Sequence, residues 1–289
     1  MSTHSVSALA GKPPLITVIV ALLNNAGTIQ QCIDSVSSQT YPRTELIIMD
    51  GGSTDGCVEI LQANQQRIAY WESSPDRGVY HAWNKALQHA TGDWICFLGA
   101  DDYFWDKHVL ELMAGHVAAA YPTYRVVYGR LAIVNVGGEY IYVIGEPWQE
   151  VEKMFLQLMS IPHVGTMHHR SLFEDHGRFD ESFRISGDYE FLRRELRTGR
   201  ALFVPDVVVA AMRQGGISSD PRHAFLQLSE ARRARAKQGD HSLGRHWVMA
   251  YIRILLRTIL WRLAGEHVAR KALDLARRVM GKPAHWTRT

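Results

Sequence analysis

Residues 44–50, TELIIMD, run straight into GGSTDG at 51–56, and residues 94–102 read WICFLGADD. Each is a short β-branched or aromatic run ending in an acidic, glycine-punctuated turn, the pattern of a buried strand that delivers carboxylates to its C-terminal end. Upstream, ITVIV at 16–20 is a third such run and passes into ALLNN at 21–25. Between the runs, apolar residues recur at the helical period: Ile29, Cys32, Ile33 and Val36 in one segment, Val79, Ala82, Trp83, Ala86, Leu87 and Ala90 in another. Strands alternating with amphipathic helices predict βαβ units around a mostly parallel, Rossmann-like central sheet flanked by helices, an α/β fold. A shorter strand is expected at 68–71.

Farther along, a helix is expected from Asp106 to about Ala119, a hairpin over 125–136 and 139–144 turning at Gly137-Gly138, mainly helical structure over 151–199, and a strand over 202–209. RQGGISSDP at 213–221 is dense in breakers and reads as a loop or domain edge. At 289 residues, 46% hydrophobic and 21% charged, the chain has the composition of an ordinary globular enzyme, which excludes disordered, collagen-like and coiled-coil classes. Cys32, Cys57 and Cys96 form no CxxC pair, so neither a disulfide framework nor a thiolate zinc site is expected. Residues 1–14 lack a secretory pattern and read as a tail, which predicts a cytoplasmic protein. Charge is uneven: from Arg222 to the end, 15 basic residues face four acids, whereas the first 221 residues carry 17 basic and 25 acidic side chains. The expected organisation is a catalytic domain over 15–221, with halves at about 15–105 and 106–221, followed by a basic helical extension over 222–289.

In open parallel sheets ligands bind beyond the carboxyl ends of the strands, so Asp50, Asp101 and Asp102 should converge on one crevice. Adjacent carboxylates at a buried strand end repel unless a cation lies between them, which suits Mg²⁺ or Mn²⁺ completed by water and substrate phosphates. A turn or capping role for the pair is the alternative.

TVIVALLNNAGTIQQCIDSVSSQTYPRTELIIMDGGSTDG, followed by SSPDRGVYHAWNKALQHATGDWICFLGADD, resembles the family 2 glycosyltransferases, which have the GT-A fold. The similarity runs from about Leu15 to Gly216, and among relatives it is nearest to bacterial enzymes that build cell-surface polysaccharides of the colanic acid or O-antigen type. The resemblance implies that Asp50 binds the nucleobase, usually uracil, that Asp102 ligates the metal on the donor diphosphate as the DxD-type carboxylate, and that Asp101 assists through ribose or metal-bound water. Ala21 and Leu23 stand where many relatives place a Pro-x-Tyr element beside the base, with Asn24 next in the same strand-end turn. Asp76 and Arg77 precede the helix that carries Tyr80, Asn84 and Lys85, near the nucleotide crevice, with surface solvation as the alternative for all five.

Inverting sugar transfer is a single displacement at the anomeric carbon that needs a carboxylate to accept the acceptor hydroxyl's proton. The segment SGDYEFLRR at 186–194 resembles the family's acidic motif at the acceptor-site helix, which implies that Asp188 is the catalytic base. A helix N-terminus is expected to favour its ionised form and so to weaken it as a base. Glu190 would point about 200° away around a helix and is the weaker candidate. Arg194 matches a family arginine, and an ion-paired role is its alternative. His163, His168 and His169 share no helix face, so zinc is not expected, and His163 matches a residue near the acceptor or diphosphate in relatives.

Residues 247–264, WVMAYIRILLRTILWRLA, carry Arg253, Arg257 and Arg262 within an apolar stretch, which argues against a bilayer span. With the flanking basic runs, these helices are expected to lie on an anionic membrane surface, the cytoplasmic face of the inner membrane, with packing on the catalytic domain as the alternative and no nucleic-acid partner. The absence of GxxxxGK[ST], GxGxxG and GxSxG argues against a P-loop, a dinucleotide site and a nucleophile-elbow hydrolase. The whole reads as an inverting hexosyltransferase that moves one sugar from a nucleotide-sugar, a UDP-sugar first, to a polyprenyl-diphosphate-linked saccharide. A non-catalytic nucleotide-sugar or lipid-binding protein on the same fold is the alternative.

Overall fold

The computed structural model describes residues 13–216 and 221–288. Residues 1–12 of the expected tail and 217–220 of the breaker-rich loop lie outside the described residues. Four strands lie parallel in the order β3-β2-β1-β4: β1 (Ile16–Leu22), β2 (Thr44–Asp50), β3 (Tyr70–Ser73) and β4 (Trp94–Gly99). The runs of β1, β2 and β4 are apolar because both faces are covered. Along β1, Ile16, Val18 and Val20 face the cluster that includes Ile29 and Ile33 of α1 (Ala26–Ser37), while Ile19 faces Tyr80, Trp83 and Ala86 of α3 (Val79–Ala86). The short α2 (Cys57–Ala63) follows β2. The chain leaves β1 toward β2 on one side and returns beside it at β4, with Ala21 opposite Gly99. The loops after β1 and β4 therefore flank a crevice at a topological switch point.

The second half extends this sheet. After β5 (Tyr103–Phe104) and α4 (Val109–Ala120), β6 (Val126–Val134) and β7 (Tyr140–Ile144) form the expected hairpin, with Val134 opposite Tyr140. The elements that follow are α5 (Trp148–Phe155), β8 (Met167–His169), α6 (Ser171–His176), α7 (Gly187–Leu196) and β9 (Leu202–Arg213). Among the described residues nine strands form one sheet, ordered β3-β2-β1-β4-β8-β6-β9-β5 with β7 beside β6. Two local expectations need correction. The helical reading of 151–199 missed β8, which is held by antiparallel pairing of His168 with both Ile95 and Val126, contacts remote in sequence. The strand expected to end at Val209 continues to Arg213, because Ala210, Ala211 and Met212 pair with Leu131, Ala132 and Ile133 of β6.

Two helices follow, α8 (Ala224–Lys237) and α9 (Arg245–Val279), the latter broken at Gly265, whose φ is +74°. The core continues past residue 221: Ala231 and Ala234 of α8 pack in the cluster that contains Tyr80, Phe155 and Tyr189. All three cysteines are free and buried.

Candidate active site

Two adjoining clefts of about 430 and 440 Å³ open at the carboxyl ends of β1 and β4. Ala21, Leu23 and Asn25 from the end of β1, Asp76 and Arg77 before α3, and Asp101 after β4 line the first. Asp101, Asp102, His163, Asp188 and Arg213 line the second. Tyr80, Gly99, Asp101 and Ile185 belong to both, so a ligand in one abuts a ligand in the other.

The turn after β2 braces the first cleft from behind. Asp50 is 1% exposed and accepts hydrogen bonds from the Ser53 hydroxyl, the Ser53 amide (3.0 Å) and the Ser73 hydroxyl (2.5 Å). It does not line either cleft, and its carboxylate organises the loop. Asn24, at φ +51°, likewise ties the two loops: its side-chain oxygen accepts from the Thr54 amide (3.0 Å) and its own amide donates to Ser53 Oγ (2.7 Å). A Cβ on Gly51 would stand 2.7 Å from Asp76 Oδ2, so only glycine lets that aspartate approach the turn. Arg77 is ion-paired with Glu181.

The aspartates after β4 form the electrostatic centre. Asp102 is 5% exposed, and its two oxygens accept from the Gly99 amide (3.2 Å) and the Arg213 amide (3.0 Å). Burial, then the adjacent Asp101 carboxylate, pushes the Asp102 carboxyl well above the ordinary range. Burial raises Asp101 as well, against the pull of Arg213. That guanidinium donates to the Asp101 carbonyl oxygen (3.1 Å) and to Gln31 Oε1 (2.7 Å), so it does not neutralise the pair by direct contact. Two crowded carboxylates facing a cleft fit a hard divalent cation. Among the described residues no group of three or more His, Cys, Asp or Glu could enclose one, so the remaining ligands would be substrate oxygens and water.

Asp188 occupies the first turn of α7 and faces the second cleft. Burial raises its carboxyl to about 6, although the Tyr189 amide (2.8 Å) and the Tyr80 hydroxyl (3.3 Å) both donate to it. The helix N-terminus was expected to keep this group a weak base, and the balance goes the other way because desolvation outweighs the favourable donors. The single hydroxyl proton of Tyr80 is shared with the nearer Ile185 carbonyl (2.6 Å), and a Cβ on Gly187 would stand 2.7 Å from its ring, so α3 and α7 meet here without space to spare. Glu230 of α8 holds the loop into α7 by accepting from the amides of Arg184 (2.8 Å), Ile185 (2.9 Å) and Ser186 (2.9 Å).

Besides Asp50 and Asn24, three anticipated residues stand away from both clefts. Lys85 donates to Glu72 (2.6 Å) and Ser74 (2.8 Å) on β3 and the turn after it. Glu190 points behind α7 and pairs with Arg194, which also donates to the carbonyls of His176 and Arg178 (each 2.8 Å). Solvation is also the wrong picture for Tyr80 and Asn84, which are 3% and 5% exposed; Asn84 bridges to the Phe179 backbone. His163 does line the second cleft, packed against both Phe97 and Trp83, and burial lowers its imidazole to about 3, so it acts there as a neutral ring. Arg213, Asn25 and Glu230 escaped sequence reasoning. Arg213 sat in a stretch read only for its breakers, and Glu230 in a helix without a clear apolar stripe.

Residues 17–174 match Glycosyl transferase family 2. The PGL/p-HBAD biosynthesis glycosyltransferase of Mycobacterium tuberculosis is 29% identical over 185 residues, 62% of this chain and 68% of that protein. Residues 1–349 of S. aureus TarS, solved in complex with UDP, superpose with a TM-score of 0.61 at 18% identity, over 91% of this chain and 77% of that one. Against a longer TarS chain the match spans 43% of that chain. The mannosyltransferase PcManGT from Pyrobaculum calidifontis, in complex with GDP-Man and Mn²⁺, gives a TM-score of 0.61 at 22% identity, over 92% of this chain and 76% of that one. With the switch-point crevice and its acidic strand ends, these matches establish that the chain belongs to the family 2 glycosyltransferases and has the GT-A fold.

Proposed function

We propose that the protein is a metal-dependent inverting glycosyltransferase that moves one hexose from a nucleotide-sugar, a UDP-sugar in the first instance, to a hydroxyl of a lipid-linked saccharide. The observation that carries this reading is the meeting of Asp101 and Asp102 with Asp188 on the wall of one cleft, next to a second cleft of nucleotide size. The nucleoside lies against Ala21, Leu23 and Asn25, with Asp76 and Arg77 beyond. Asp50 and Asn24 shape that wall from behind it. Asp102, with Asp101, holds Mn²⁺ or Mg²⁺, which supplies positive charge to the leaving diphosphate. Asp188 accepts the proton of the acceptor hydroxyl as its oxygen attacks the anomeric carbon and the nucleoside diphosphate departs. A carboxylate raised to about 6 is still ionised at neutral pH and is a stronger base than an exposed one. His163, a neutral ring on the same wall, contacts the acceptor.

The acceptor's lipid is proposed from α9. Ala250, Ile254, Arg257 and Trp261 turn toward the protein, whereas Met249, Ile252, Leu256, Ile259 and Leu263 form an outward stripe, 43% to 83% exposed. At about 100° per residue, Arg253 and Arg262 fall on opposite flanks of that stripe. Among the described residues no helix is long and apolar enough to cross a membrane. An apolar stripe between arginines suits an anionic membrane surface, such as the cytoplasmic leaflet of an inner membrane, and disfavours self-association, which would bring like charges together. The test is label transfer from UDP-[¹⁴C]sugars to a polyprenyl-diphosphate-saccharide in anionic vesicles with Mn²⁺. Vesicle-dependent, organic-extractable label supports the reading, and transfer only to water-soluble saccharides overturns the lipid-linked acceptor.

A further inference from the structure

Residues 284–288 turn back from α9 and are fastened at three points. Asp274, 3% exposed, accepts from the amides of His285 (2.8 Å), Trp286 (3.0 Å) and Thr287 (2.8 Å) and from the Thr287 hydroxyl (2.6 Å). Trp286 packs edge-on against Trp261 beneath the Arg257 guanidinium, on the inward face of α9. The third point reaches the catalytic sheet: Gln214 Nε2 donates to His285 Nδ1 (2.9 Å) and lies 3.3 Å from the His285 carbonyl oxygen, and the Tyr142 hydroxyl lies 3.0 Å from the same ring nitrogen.

Gln214 adjoins Arg213, whose amide donates to Asp102 Oδ1 (3.0 Å) and whose guanidinium spans the Asp101 carbonyl and Gln31. The Gln214 backbone amide is tied to the Val134 carbonyl (3.0 Å) and the residue is 8% exposed, so its side-chain amide has little freedom to exchange His285 for water. We propose that the C-terminal tail is a positioning element for the Asp101–Asp102 pair. His285 anchors Gln214 and thereby fixes the end of β9, where the Arg213 amide meets Asp102. The tail is bound to the inward face of α9, so displacement of α9 is transmitted to the carboxylates through His285. The geometry stands by itself, and the consequence for metal rests on the transferase reading above.

The experiment compares the full chain with His285→Ala, His285→Gln and Gln214→Ala. Amide exchange is followed over residues 202–216, and binding of Mn²⁺ alone is measured by electron paramagnetic resonance. Loss of this part-buried hydrogen bond should speed exchange at residues 212–214 by about five- to tenfold. Residues 202–208 should keep wild-type exchange, Mn²⁺ affinity should fall by a similar factor, and His285→Gln should restore both. Gln214→Ala breaks the same link without touching the tail's bonds to Asp274, so it reproduces the effect even if His285→Ala folds poorly. Faster exchange confined to residues 284–288, with 212–214 and Mn²⁺ affinity unchanged, overturns the proposal and leaves the tail a staple on α9. Exchange that responds in a chain whose wild type takes no Mn²⁺, alone or with UDP present, supports the positioning role and counts against the metal-dependent reading instead.

Discussion

Asp188→Asn removes the proposed proton acceptor while keeping an oxygen for the Tyr80 hydroxyl and the Tyr189 amide. The wild-type carboxyl stands at about 6 against an ordinary 3.8. Each unit is worth about 1.4 kcal/mol, so ionised Asp188 costs the fold up to about 3 kcal/mol at neutral pH. Part of the side chain faces the solvated cleft, which trims the figure to about 1–2 kcal/mol. Between pH 4 and 6 the folded chain holds a proton that the unfolded chain has released, so this group's contribution falls as pH rises through that window. The Asn variant has no such loss. It should therefore unfold at higher denaturant concentration than wild type at pH 7.5 and at a similar concentration at pH 4, while turnover falls by about 10² to 10⁴. Wild-type kcat/KM should show an acid limb near pH 6 that reports the same group. Paired urea titrations at the two pH values and a nucleoside-diphosphate release assay provide the measurements. An Asn variant that retains turnover, or is less stable at pH 7.5, refutes the assignment of a desolvated base.

Other expectations follow from neighbouring contacts. Glu230→Ala strands the amides of residues 184–186 and should cost about 2–4 kcal/mol in urea denaturation, with Glu230→Gln costing less. Gly187→Ala forces its methyl against the Tyr80 ring and should lose about 1–3 kcal/mol, with turnover falling further than stability alone explains because Tyr80 touches Asp188. Leu256→Glu with Ile259→Glu should abolish sedimentation with anionic vesicles and leave nucleotide binding intact, since both side chains face outward. Those point variants are the appropriate test of the membrane surface, because deleting 222–289 would also remove Glu230, Ala231 and Ala234 from the folded core.

Strands β1, β2 and β4 were legible because each carries a continuous apolar run ending in a polar turn, and burial on both faces demands that pattern. Asp101 and Asp102 could be singled out for a related reason, their place at a strand end, whereas Asp188 was reached through the resemblance of SGDYEFLRR to the family's acidic motif. Contacts remote in sequence were hidden. β8 is three residues long and is a strand only because β4 and β6 flank it. Glu230 lies 44 residues beyond the Ser186 amide it holds, in a helix whose buried residues include Glu230 and Arg235 beside alanines, so no hydrophobic period announces its inner face. Asp50 was legible as a strand-end carboxylate, but its bonds to Ser53 and Ser73, which brace the loop, were not.

On the proposed reading, the crevice between β1 and β4 binds a nucleoside diphosphate through a cation held by the carboxylates after β4. Calorimetric titration of UDP, GDP, dTDP and CMP, with and without Mn²⁺, into wild type and Asp102→Asn tests it most directly, with circular dichroism to establish that both are folded. The account predicts Mn²⁺-dependent binding of one diphosphate, UDP first among them, lost in the variant. Metal-independent binding that survives Asp102→Asn, or no binding of any of the four to folded wild type, would contradict it.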